Sequence, residues 1–108
     1  MRAGDLTKRV AFQSPIEDRD RNGKIVQSWR NEFTVWAHVQ ALRGGETVMQ
    51  ARVAAKAPAI VTVRRSSQSR QIQSDWRAVI DGRIYDIKEL PRMSDDRAYL
   101  EMLAEGRA

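Results

Sequence analysis

The stretch from Asp75 to Leu90, "DWRAVIDGRIYDIKEL", decides the fold. Asp81-Gly82 is a favoured two-residue hairpin loop, because both positions of that turn take positive φ. A loop of that length sets Arg77 opposite Asp86 and Asp75 opposite Lys88. Both are opposite-charge cross-strand pairs, each contributing about 0.2–1 kcal/mol. The other face then gathers Trp76, Ala78, Ile80, Tyr85 and Ile87. A register that pairs the charges and collects the apolar groups is self-consistent, so the stretch reads as an antiparallel hairpin with one buried face.

The same period of two runs through the flanking sequence. Val10 and Phe12 alternate with Arg9, Ala11 and Gln13. Ile25 and Trp29 share a face in "KIVQSWR". In "FTVWAHVQAL", Phe33, Val35, Ala37, Val39 and Ala41 form a wholly apolar face, opposite Thr34, Trp36, His38 and Gln40. "AIVTVRR" from Ala59 reads as a further strand.

Two segments depart from this pattern. "GGETVMQARVAAKAP" predicts a helix over Glu46–Lys56, preceded by Gly44-Gly45 and ended by Pro58. Its apolar face is Val48, Ala51 and Ala55 beside Met49. So weak a face leaves the helix dependent on a partner. "RAYLEMLAEG" has helix-favouring residues, yet Ala98, Leu100, Met102 and Ala104 alternate as in a strand. The pattern as a whole predicts an all-β fold: a small antiparallel β-barrel or sandwich of about six strands with one short inserted helix. At 108 residues it is a single domain over 1–108 with a modest core.

Apolar residues are 42% of the chain but aromatic ones only 6%, so the core rests on Val, Ile, Leu and Ala. The absence of Cys removes disulfides, thiolate zinc sites and thiol catalysis. No apolar run reaches the roughly 20 residues of a membrane span, and no signal-peptide pattern opens the chain. These features predict a protein made in the cytosol without a membrane partner. Net charge is +5, concentrated in residues 43–74 and opposed by an acidic end. Arg outnumbers Lys fifteen to four, which suits planar contacts with phosphate or carboxylate.

Catalytic chemistry is hard to assemble from these residues. His38 is the one histidine, set between Trp36 and Gln40, and reads as a packing or interface residue. The carboxylate pairs Glu17-Asp18 and Asp95-Asp96 sit in charged, turn-like sequence that keeps carboxylates solvated. Gly44-Gly45 lacks the following Lys-Ser or Lys-Thr of a phosphate cradle. "DRDRNG", Asp18 to Gly23, has the opening spacing of a calcium-binding EF-hand loop. However, Trp29 stands where the closing Glu belongs, and both flanks alternate as strands. The stretch therefore reads as the tip of a long hairpin whose loop is Ser14–Gly23, with Asn22-Gly23 as turn chemistry. No enzyme, metal or cofactor is expected.

The order of these features resembles a known family. An opening "MRAGDLTKRVAFQSP" and a turn "DRNG" are followed by Trp29, "FTVWAHVQALRGGE", an Ala/Gln-rich stretch, a basic-ended strand and "VIDGRIYDIKEL". This series resembles the head-tail joining (head closure or stopper) proteins of tailed bacteriophages and the related proteins of gene transfer agents. The resemblance implies a β-barrel subunit in a homo-oligomeric ring of six or twelve. The ring lies between the portal or adaptor ring and a tail terminator or tail completion protein. It closes the double-stranded DNA channel after packaging, within a virion assembled in the bacterial cytoplasm.

The resemblance also favours strand for Ala98–Leu103, and it implies that about Leu42–Pro58 reorganises on assembly. Arg43, Arg52, Lys56, Arg64 and Arg65 are then the candidates for sequence-independent contact with DNA or an acidic partner. Glu17, Asp18, Arg19, Asp20, Arg21 and Asn22 form a mixed-charge tip for docking to a neighbouring ring. The alternative is a monomeric Arg-rich nucleic-acid-binding barrel, in which Trp36 and Tyr99 are the aromatics free to stack on bases.

Overall fold

The computed structural model describes residues 2–42 and 57–106. Among them the chain forms seven strands: β1 (Lys8–Arg19), β2 (Ile25–Ala41), β3 (Ala57–Arg64), β4 (Arg77–Ile80), β5 (Arg83–Ile87), β6 (Arg92–Met93) and β7 (Tyr99–Gly106). The only helical turns among the described residues are short 3-10 turns at Ala3–Asp5 and Ser69–Gln71. The helix expected over Glu46–Lys56 lies outside the described residues. Pro58, expected to end it, sits inside β3 opposite Glu105.

The strands make one antiparallel sheet in the order β3-β2-β1-β4-β5-β7-β6, and β3 also pairs with β7. That extra pairing closes a circuit β1–β2–β3–β7–β5–β4 and leaves the short β6 beside β7. Closure protects edges that an open sheet of this size would expose.

The Asp81-Gly82 hairpin forms in the expected register, from Arg77↔Asp86 to Ile80↔Arg83. Asp81 has φ of 52° and Gly82 of 77°, the two left-handed residues that the turn requires. One further bond runs from the Ile87 N–H to the Trp76 carbonyl at 3.0 Å, and Asp75 and Lys88 lie beyond the ladder. Gly82→Ala has open space for its methyl group but must hold a left-handed backbone. We expect it to cost about 1 kcal/mol, read as a lower urea midpoint with unchanged slope.

The core forms where the inward faces meet. Val10 and Phe12 of β1, Phe33 and Ala37 of β2, Val61 and Val63 of β3, and Ala78 and Ile80 of β4 are all buried. Leu100, Met102 and Ala104 of β7 close the same cluster. The final segment is therefore a strand, as its alternation indicates, and its helix-favouring composition is overridden by pairing with β3 and β5. Ile72 is also buried, at 2% exposure.

The largest departure from the expected organisation lies in β1 and β2. "KIVQSWR" and "FTVWAHVQA" are one 17-residue strand. Ser14–Arg19 is strand as well, so the expected loop Ser14–Gly23 shrinks to a turn at its far end. Pairing slips between Phe12↔Phe33 and Gln13↔Asn31, leaving Glu32 as an extra residue in β2. Such a bulge reverses the facing of every residue beyond it. Ile25 and Trp29 do share a face, but it is the outer face rather than the core face.

Candidate docking arm and basic groove

Beyond the bulge, β1 and β2 leave the closed sheet. β1 pairs with β4 only over Val10–Gln13, and β2 pairs with β3 only over Ala37–Ala41. From Ser14↔Arg30 to Arg19↔Ile25 the two strands have only each other among the described residues. They form a two-stranded arm of about 20 Å at the usual rise per residue. Pro15 is tolerated there because β1 has no second partner at that point among the described residues.

An isolated ribbon is marginal in water, and this one is braced at both ends. At the root, the Arg77 Nε donates to the Gln13 Oε1 at 2.7 Å, and its guanidinium lies 4.3 Å from the centre of the Trp29 ring. The Ser14 hydroxyl donates to Glu32 Oε1 at 2.7 Å, tying the bulge to β1. At the tip, the Asp20 Oδ1 accepts the N–H groups of Asn22 and Lys24, each at 2.9 Å. The Asp20 N–H donates to the Lys24 carbonyl, and Gly23 turns the chain with φ of 76°. The Arg19 guanidinium holds the Gly23 carbonyl at 3.0 Å.

In this geometry the Asp18–Gly23 stretch is the end of a strand and a turn rather than a loop between helices. An Asp20 oxygen that a metal would need is already the cap of a turn, and strands flank it on both sides. Among the described residues no three His, Asp or Glu side chains gather as a cation site. Glu17, Asp18, Arg19, Asp20, Arg21 and Asn22 are all exposed at the end of the arm. So are Ile25, at 58%, and Val26, at 39%.

The opposite end of the same strand pair carries a groove of about 830 Å³. Its lining includes Leu6, Arg9, Thr34, Trp36 and Arg64, with no carboxylate side chain. Trp36 is 52% exposed, and the Arg9 guanidinium lies 5.0 Å from the centre of its ring. Arg64 reaches this groove from the end of β3. The chain beyond it is fixed by the buried Ser69, whose hydroxyl donates to the Arg64 carbonyl at 2.7 Å and accepts from the Ser66 N–H at 2.8 Å. Ser69 stands in the polar run "SSQSRQIQSD", which carries no periodic signal of burial.

The five basic candidates do not form a single described patch. Arg43, Arg52 and Lys56 lie outside the described residues. Arg64 faces the groove, whereas Arg65 turns to the Met93 sulfur, 3.2 Å from its Nη1. Tyr99, expected to be free to stack, is 7% exposed and pairs with Arg64 across β3 and β7. That removes one of the two stacking aromatics from the nucleic-acid reading, and Arg9 covers part of the other.

His38 is half-buried, with Nδ1 3.3 Å from the Asp5 carbonyl oxygen. A carbonyl only accepts, so His38 serves as the donor that holds the N-terminal segment to β2. At the Asp95-Asp96 pair, the Ser94 hydroxyl and then the Ala98 N–H both bond to Asp96 Oδ1, at 2.6 and 3.0 Å. These bonds hold the Asp96 carboxyl below its ordinary value of 3.8. That is the direction of a turn cap, opposite to the shift a general acid requires. A lowered pKa adds stability that is complete above 3.8 and is lost as pH falls through the folded-state value. Asp96→Asn is therefore expected to show a smaller fall in melting temperature than the parent between pH 5 and pH 3.

The described residues thus build surfaces for contact, an arm and a groove, with no assembled catalytic centre among them. The chain belongs to the phage head completion protein family, whose pattern it matches over residues 1–107. Its fold is similar to that of protein SF1141 from Shigella flexneri 2a, solved in solution. The TM-score is 0.70 at 23% identity, covering 100% of this chain and 98% of that one. It is also similar to a chain of the virion of the native gene transfer agent particle. There the TM-score is 0.67 at 22% identity, covering 95% and 96% of the two chains. No curated protein sequence matches the chain. Among the described residues no helix is long and apolar enough to cross a membrane.

Proposed function

We propose that this protein is a head closure subunit, forming a ring between the portal or adaptor and the tail of a phage or phage-like particle. The observation that carries this reading is the family match over nearly the whole chain. The braced arm supports it, because a ribbon held at tip and root, with no further strand partner among the described residues, is suited to docking a protein neighbour. In this reading the ring has six or twelve copies, closes the DNA channel after packaging and offers a surface to the tail. Arg43, Arg52, Lys56, Arg64 and Arg65 meet DNA phosphates or an acidic neighbour through charge alone. The tip residues Glu17–Asn22 meet a protein, since carboxylates and guanidinium groups are mixed there and the tip has no net charge once Lys24 is counted.

The test is deletion of the gene in the producing cell, followed by electron microscopy and a nuclease-protection assay. Heads are expected to fill with DNA and then lose it, without tails, and the wild-type gene supplied in trans restores tailed particles. Tailed, DNA-filled particles at normal yield without the protein would overturn the proposal.

A further inference from the structure

The arm and the groove sit at opposite ends of one strand pair. The groove is at Arg9↔Trp36 and the arm's end at Asp18↔Val26, nine residues further along β1. At about 3.3 Å per residue they lie about 30 Å apart along the strand pair. Each chain therefore has a projecting part at one end and a receiving part at the other.

The two faces of the arm are not equivalent. Alternation along β1 and the reversed facing of β2 place Ile16, Asp18, Val26 and Ser28 on the face continuous with the core side. Within the two strands this face carries one carboxylate beside two apolar side chains, with Arg30 at the root as its only cation, and the Asp20–Lys24 pair follows in the tip turn. The other face carries Glu17, Arg19, Ile25 and Gln27, with both charge signs. The groove offers two guanidinium groups, an exposed indole and no carboxylate in its lining. Stacking on Trp36 leaves the N–H groups of Arg9 free to grip a carboxylate, while it covers an indole face that a nucleobase would need. Trp and Arg in one pocket are also the residue types that dominate protein interfaces.

We infer that the arm of one copy seats in the groove of a second copy of this chain. Asp18 lies between Arg9 and Arg64 of the receiving copy, and Ile16 and Val26 rest on its Trp36. The contact joins unlike surfaces, so it repeats head to tail and closes a ring or extends a filament. The inference rests on the ring reading above and assigns its subunit contact.

The chain has no Cys, so single thiols can be placed without interference. Val26→Cys marks the arm and Thr34→Cys marks the groove, both at exposed positions. Particles produced with a mixture of the two variants are treated with a short bismaleimide. The expected product is a covalent dimer containing one chain of each kind, and the doubly substituted chain yields a ladder of multimers. Asp18→Arg is expected to abolish the dimer, and Arg9→Asp with Arg64→Asp in the receiving chain to restore it. Cross-linking of Val26→Cys to a different particle protein overturns the inference in favour of a contact with an adjacent ring. The absence of any cross-link in particles that contain the protein also overturns it, and leaves the head closure reading intact. If the protein is missing from particles, that reading fails, and the same mixture of purified chains at high concentration decides the arm–groove contact by itself.

Discussion

Phe12→Ala lowers the unfolding free energy by about 3–5 kcal/mol, the range for removing a buried aromatic ring. Phe12 has no exposed surface. It stands in a row across three strands, with Phe33 of β2 on one side and Ala78 of β4 on the other. Its ring centre lies 5.4 Å from that of Phe33, which lies 6.1 Å from that of Trp76. Ladders on both sides of β1 fix the strand spacing at this point, so the walls cannot move in to fill the space, and the cavity adds to the lost transfer energy. A small domain has only about 5–15 kcal/mol to lose. The variant is therefore expected to unfold at a much lower urea concentration, followed by tryptophan fluorescence. Trp36→Ala is the control: its ring is half exposed, and losing it with its Arg9 contact is expected to cost only about 1 kcal/mol. Equal midpoint shifts for the two variants would show that the core is not organised around the Phe12 row.

Why the row was legible and the arm was not comes down to the range of the signals. Asp81-Gly82 announces its own turn, and a two-residue loop fixes register by counting. The faces of Val10, Phe12 and Phe33–Ala41 follow from alternation alone, because each has one buried side. The bulge at Glu32 leaves no local trace: one extra residue looks the same whether it ends a strand or offsets it. Without it, "KIVQSWR" reads as a separate strand facing the core, and the charged run before it reads as a loop. Polar residues on both faces of Ser14–Arg19 also erase the alternation that marks a half-buried strand. The arm is extended because it pairs with itself, and it is polar because neither face of its outer part is covered by the described residues. Tyr99 and Ile72 show the converse limit. Both are buried by contacts made far along the chain, and neither has neighbours whose spacing reveals it. The groove is a similar case: Arg9, Trp36 and Arg64 come from three strands and meet only after β1, β2 and β3 are laid side by side.

The same separation of arm from core leads to the second large effect. Replacing Glu17–Gln27 by Asn-Gly removes the arm's outer half and closes β1 on β2 at Ile16↔Ser28 with a two-residue turn. Pro15 has no N–H, so its pair with Trp29 cannot be the bonded pair that frames such a turn, whereas the next pair can. Everything removed lies beyond the closed sheet, and the braces at Gln13, Ser14, Trp29, Glu32 and Arg77 stay in place. The shortened chain is expected to fold with a melting temperature within a few degrees of the parent, on the order of a 1 kcal/mol change. Loss of function is expected to be complete: in a cell lacking the wild-type gene, tailed particles fall to the level of the gene deletion. Circular dichroism with thermal melting reads the first outcome, and particle counts by electron microscopy read the second. A shortened protein that supports normal particle yield would strip the arm of its docking role. One that fails to fold would show that the outer pairs, rather than the root braces, hold β1 against β2. The two readouts separate because, among the described residues, the arm contributes no side chain to the core cluster, so its removal bears on contacts outside that core.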